Sequence, residues 1–218
     1  MIRINQISRR NREAGFTMIE LMVALAIFSI FLTIVISSIL ALTKASTTAQ
    51  VTAKSSSAEL AMFSRLDHQI RYSDSINWPG TGASGDYYIE FRTPADSTTT
   101  LTTLCTQWMF NPTAGTISIR SWNDGSSAGS TWTILLTNVK QDTTIPNYPF
   151  ALIPASAGGS SMQEFKLTVE TGNTNVKGAT ITTTFVARNS GVLTSPSNSD
   201  ATTPGVSDHP ICTGATRP

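Results

Sequence analysis

The sequence predicts an α+β protein: one long N-terminal helix, then an antiparallel β-sheet. Three observations carry this. A 23-residue run from Leu21 to Thr43 has no charge, no Pro and no Gly. Apolar residues then recur at spacings of three or four as far as Ile70, the period of a helix face. Beyond residue 81 the apolar residues fall instead in short β-branched or aromatic runs separated by Gly, Pro and Asn.

The uncharged run would make a helix about 35 Å long, enough for the ~30 Å hydrocarbon core of a bilayer. It exceeds the apolar part of an ordinary secretory signal. It also lacks the polar positions that a helix half-buried in a soluble core would show. It therefore reads as a membrane span. Arg3, Arg9, Arg10 and Arg12 precede it against a single Glu13. The positive-inside rule places that end in the cytoplasm and the rest outside.

The helical pattern continues through Ala45, Ala49, Ala53, Ala58, Met62, Phe63, Leu66 and Ile70. Phe63, Leu66 and Ile70 are expected to form one apolar face. Ser73-Asp74-Ser75 and Asn77-Trp78-Pro79-Gly80 should stop the helix near Tyr72. From Phe16 the helix would then run about 85 Å. Strands are expected at Tyr87–Arg92, Leu104–Phe110, Thr116–Trp122, Trp132–Val139, Glu164–Glu170 and Thr180–Arg188. Asn111–Gly115 should be a hairpin loop and Asn123–Ser127 a turn. A sheet with one apolar and one polar face would cover the helix stripe. Residues 189–208 read as a loose segment.

Composition narrows the function. The chain has 33 Thr and 26 Ser among 218 residues, only 13% charged residues and a net charge of +1. That excludes binding nucleic acid through a strongly basic surface, so no direct nucleic-acid partner is expected. No nucleophile elbow accompanies Asp208-His209, and His68 reads as a polar-face residue, so no catalytic residue is assigned and an enzyme is not expected. The sequence shows no metal-ligand cluster and no cofactor motif. Asp124-Gly125-Ser126 lacks the run of acidic ligands of a calcium loop and reads as a plain turn. Trp78, Trp108, Trp122 and Trp132 read as core or sheet-face residues. Cys105 and Cys212 either pair in an oxidising compartment or remain two thiols.

Glu20 breaks the pattern of a simple anchor. It lies between Ile19 and Leu21, where a carboxylate is expensive without a partner and by default functional. The stretch is Arg12-Glu13-Ala14-Gly15-Phe16-Thr17-Met18-Ile19-Glu20. Over Gly15–Glu20 it closely resembles the N-terminal motif of type IV prepilins and type II secretion pseudopilins, and the likeness stays good through Leu42. In that family a prepilin peptidase cuts after the glycine, and the new N-terminal residue is N-methylated. The resemblance implies a cut between Gly15 and Phe16, methylation of Phe16, and an assembly role for Glu20.

It also implies a pilin-like fold and four segments: a cleaved basic leader 1–15, a membrane and filament-core half-helix 16–43, an amphipathic half-helix 44–72, and a β-rich head 73–218. The implied partners are other pilin or pseudopilin subunits, the prepilin peptidase/methyltransferase, a membrane assembly platform and the cytoplasmic membrane. The chain would begin as a single-pass membrane protein with its head outside, and pass into an extracytoplasmic filament. Where main filament subunits often carry a helix breaker, this sequence has Ser37. That departure and the size of the head favour a minor subunit. The alternative is a surface adhesin or binding module displayed on a pilin-like anchor.

Overall fold

The computed structural model describes residues 15–145, 148–155, 159–172, 177–191, 203 and 206–218. Residues 1–14, and most of the segment 189–208 that reads as loose, lie outside the described residues. The architecture is pilin-like α+β: helix α1 (Met18–Arg71) is followed by antiparallel strands. Two compact units divide within the helix, the first ending at Thr47 and the second beginning at Thr48.

In the first unit α1 carries its apolar side chains outward. From Phe16, at 80% exposure, to Leu42, at 73%, every large apolar side chain is exposed except Val35, which is partly covered. The stretch is long and apolar enough to cross a membrane. Four of its hydroxyls are satisfied within the helix. Ser29, Thr33, Ser38 and Thr43 donate to the carbonyls of Ala26, Ile30, Ile34 and Ile39 at 2.7–2.8 Å. Hydroxyls bonded in this way can sit in an apolar medium without an orphaned donor.

In the second unit α1 buries Glu59, Met62, Leu66 and Ile70, a line spaced by three or four residues. The buried stripe therefore runs through Met62 rather than Phe63. Phe63 sits at the margin, its ring 5.9 Å from that of Phe185. The helix ends at Arg71, where Ser73 donates both its backbone N–H and its hydroxyl to the Ile70 carbonyl. The predicted stop signal works through this cap.

The strands form two sheets rather than one. The first contains β1 (Ser75–Ile76), β2 (Gly80–Thr81), β3 (Tyr87–Thr93), β4 (Leu104–Asn111), β5 (Thr116–Asn123) and β6 (Thr133–Thr137). Its order is β1-β3-β4-β5-β6, with β2 also pairing β3. The second contains β7 (Phe150–Ile153), β8 (Met162–Gly172) and β9 (Lys177–Gly191), in that order. All pairings between strands are antiparallel. One core cluster joins Met62, Leu66 and Ile70 of α1 to residues of both sheets, among them Trp108, Phe110, Phe165 and Phe185.

Both ends of β8 stitch the sheets together. At one end Gln163 lies in a register break, and its side-chain amide stands in for a strand backbone. It accepts from the Ile76 N–H at 2.8 Å and donates to the Ile76 carbonyl at 3.2 Å. At the other end Val139 bridges Thr171, and Gly172 N–H donates to the Asn138 carbonyl at 2.9 Å. Glu59 reaches the same seam from α1. Its Oε1 accepts from the Thr171 hydroxyl at 2.7 Å, while its Oε2 is buried without a partner among the described residues.

Two loops match their sequence signals. In Asn111–Gly115 the Asn111 side chain accepts from Ala114 N–H at 2.7 Å, and Gly115 takes φ 61°. A Cβ on Gly115 would also lie 2.9 Å from the Val139 carbonyl, so glycine is needed for conformation and for space. In the turn after β5, Ser126 N–H donates to the Asn123 carbonyl at 3.0 Å.

Candidate processing and assembly site

The first turn of α1 brings together the residues singled out by sequence. Gly15, Phe16 and Thr17 precede the helix and are exposed. Thr17 is its cap: the Thr17 carbonyl accepts from Leu21 N–H at 3.2 Å and its hydroxyl from Glu20 N–H at 3.3 Å. Thr17 and Glu20 thus hold the spacing of a capping box. A carboxylate there also meets the positive end of the helix dipole. Glu20 is exposed, in a shallow hollow shared with Phe16, Ile19, Val23, Ala24 and Ile27, and among the described residues is its only charged side chain. Local physics therefore tolerates an acid at this helix start, with no cation lining the hollow among the described residues.

A second constellation lies on the face of the first sheet turned away from α1. Sequence reading gave the sheet one polar face, and residues 206–218 cover it. The Cys105–Cys212 disulfide, with Cα atoms 5.6 Å apart, fastens that segment to β4 across 107 residues. Asn77 pairs with Ile211 in both directions at 2.9 Å, as a strand backbone would. Close approach at Gly214 leaves no room for a side chain, because a Cβ would clash with the Ser126 carbonyl.

At the centre of this clasp is Glu90, only 4% exposed. It stands in register with Gln107 and, through Gln107, with Arg120. Arg217 grips it with two bonds, Nε to Oε1 at 3.0 Å and a terminal guanidinium nitrogen to Oε2 at 2.7 Å. Asn77 and Gln107 add donors at 3.0 and 2.8 Å. Burial alone would raise the Glu90 pKa. Hydrogen bonds and charge from Arg217, with help from Asn77 and Gln107, outweigh it and hold the carboxyl below its ordinary range. Arg120 completes the row by donating to Gln107 Oε1 at 2.7 Å and to the Thr216 carbonyl at 3.1 Å. Its guanidinium lies 4.4 Å from the centre of the Trp132 ring, a cation–π distance.

Sequence reasoning missed Glu90, Arg120 and Arg217. The one available signal was a lone acid inside the apolar run Tyr87–Phe91. The other residues weighed from sequence are dispersed. His68 is exposed and tilted against Tyr72, and His209 is exposed in the covering segment. Asp124 sits in its turn, accepting from Gly125 N–H at 3.0 Å. Trp108 and Trp122 are buried, and Trp78 and Trp132 are partly covered.

A long apolar helix that begins directly after Gly15-Phe16-Thr17 and is followed by antiparallel strands has the layout of prepilin-like proteins. Consistent with that class, residues 10–36 match the family described as the prokaryotic N-terminal methylation motif. The chain thus carries the type IV pilin and pseudopilin signature, that of a substrate for prepilin processing. No curated protein and no solved structure matches it.

Proposed function

We propose that this chain is a minor pilin or pseudopilin. A prepilin peptidase cuts it between Gly15 and Phe16 and methylates the Phe16 amine. The product then enters a type IV pilus or type II secretion-like filament through residues 16–43, with residues 73–218 as its extracytoplasmic head. Residues 44–72 form the amphipathic half-helix between them. The observation that carries the reading is the exposed apolar surface from Phe16 to Leu42 with one carboxylate, Glu20, in its first turn.

Cleavage creates an ammonium on Phe16 at an apolar helix end. That ammonium and the Glu20 carboxylate are each costly when unpaired in a low-dielectric medium. Pairing Phe16 of one subunit with Glu20 of the next offsets both costs and fixes the axial register. The setting of Gly15 supports cleavage as well. Among the described residues a Cβ there would meet nothing within 4 Å, so the backbone at Gly15 is open to the close approach of a protease. Ser37 in place of a helix breaker, and the large head, support the minor role.

The test is filament incorporation. Glu20→Ala should be cut normally yet fall at least tenfold in sheared filaments, while Gly15→Leu should accumulate uncut in the membrane. Incorporation of Glu20→Ala at the unmutated level would refute the assembly role.

A further inference from the structure

The geometry points to a binding groove for a neutral glycan between the C-terminal end of α1 and the loop joining β3 to β4. The proposal goes beyond the function above and depends on neither processing nor assembly. The cavity has a volume of about 320 Å³ and lies wholly in the second unit. That volume is at the lower end of small-ligand sites.

Its lining has an unusual chemistry. Among the described residues, no Asp, Glu, Lys or Arg contributes, while the lining includes Thr93, Ser97, Thr98, Thr99 and Thr100. With no carboxylate, lysine or arginine and a single imidazole, His68, the wall offers little purchase to phosphates, acidic peptides or metal ions. Hydroxyl and amide groups favour a ligand that both donates and accepts. Gln69 supplies an oriented amide: its Oε1 accepts from the Trp108 indole at 3.3 Å, leaving the Nε2 donors to the groove. Tyr72, Gln69 Nε2 and the Thr93 hydroxyl show no side-chain hydrogen bond to another described residue.

One side is aromatic. Tyr72 is 41% exposed, and its ring stands 5.0 Å from that of His68 at 59°. A half-exposed aromatic with a polar tip suits the apolar C–H face of a pyranose, while the surrounding hydroxyls suit its edges. The β3–β4 loop that supplies Thr98 is already organised. The Thr98 hydroxyl accepts from Thr102 N–H at 3.2 Å and donates to the Thr102 carbonyl at 2.8 Å. The Thr102 hydroxyl in turn donates to Asn123 Oδ1 at 3.3 Å. A loop held in this way pays less ordering entropy on binding.

The test uses the full chain in lauryldimethylamine oxide, because a maltoside or glucoside detergent would itself compete for the groove. The protein is applied to an array of neutral hexose and N-acetylhexosamine oligosaccharides beside their sialylated counterparts. Binding to neutral glycans is expected, weakened at least tenfold by Tyr72→Ala and by Asn123→Ala. Thr182→Val, on an exposed part of β9, should leave it unchanged. Near-UV circular dichroism checks each fold, and if Tyr72→Ala unfolds, Asn123→Ala decides alone. The proposal is overturned by no neutral binding, by preference for sialylated glycans, or by unchanged affinity in the groove variants that fold.

Discussion

Replacing Arg217 with Ala should destabilise the head by about 3–5 kcal/mol, the usual cost of stranding one member of a buried ion pair. Glu90 keeps only its two amide donors in that variant, Asn77 and Gln107, and its charge stays buried with no cation bonded to it, Arg120 standing one residue further along the row. The exposed Asp67–Arg71 pair on α1 provides the contrast. Its side chains are 45% and 40% accessible, and an exposed pair of this kind is worth less than about 1 kcal/mol. The Arg217 effect should also depend on pH. Folding lowers the Glu90 pKa, so the pair stabilises fully above the unfolded carboxylate value of about 4.3 and loses its contribution as pH falls through the folded value. Without Arg217 the largest opposition to the cost of burial is gone, so protonation of Glu90 relieves the variant. The gap in urea midpoint between the two proteins should therefore be wide at pH 7 and narrow below pH 4. A constant gap would show that Glu90 does not feel the guanidinium.

Removing the disulfide should have an effect of similar size. Cys105 and Cys212 close a loop of 107 residues, and the chain-entropy model gives about 4–5 kcal/mol for such a loop. The Cys105→Ser/Cys212→Ser protein should lose that much in urea denaturation, and residues 206–218 should become open to proteolysis before the sheets unfold. Because the same segment carries both Cys212 and Arg217, the two losses should be less than additive when combined. Full additivity would mean that the bridge and the ion pair hold different things.

These predictions concern the part of the molecule that sequence could least foretell. The long helix was legible because an uncharged run and then a regular stripe leave no other reading. The six strands with strong β-branched or aromatic runs were legible for the same reason. The shortest strands were not. β1 is two residues inside the helix stop signal, β2 follows Pro79, and β7 is four residues between Pro149 and Pro154. The seam between the two sheets was hidden because it is made by a glutamine side chain at Gln163 and an isolated bridge at Val139, neither of which a run of residues signals. Asn138, at φ 59°, also ends β6 earlier than its β-branched run suggests. The polar face of the first sheet reads as solvent-facing until its cover is known. Glu90 finds its cation 127 residues away, beyond any local pattern. The proposed processing site is the opposite case, since all its residues fall within six consecutive positions.

The central claim concerns the start of the working chain. Intact mass and N-terminal sequencing of the protein from its native membranes or filaments test it most directly. The account predicts a chain beginning at Phe16 and heavier by one methyl group than the unmodified sequence from that residue. A mature protein that still carries Arg9, Arg10 and Arg12 would contradict it.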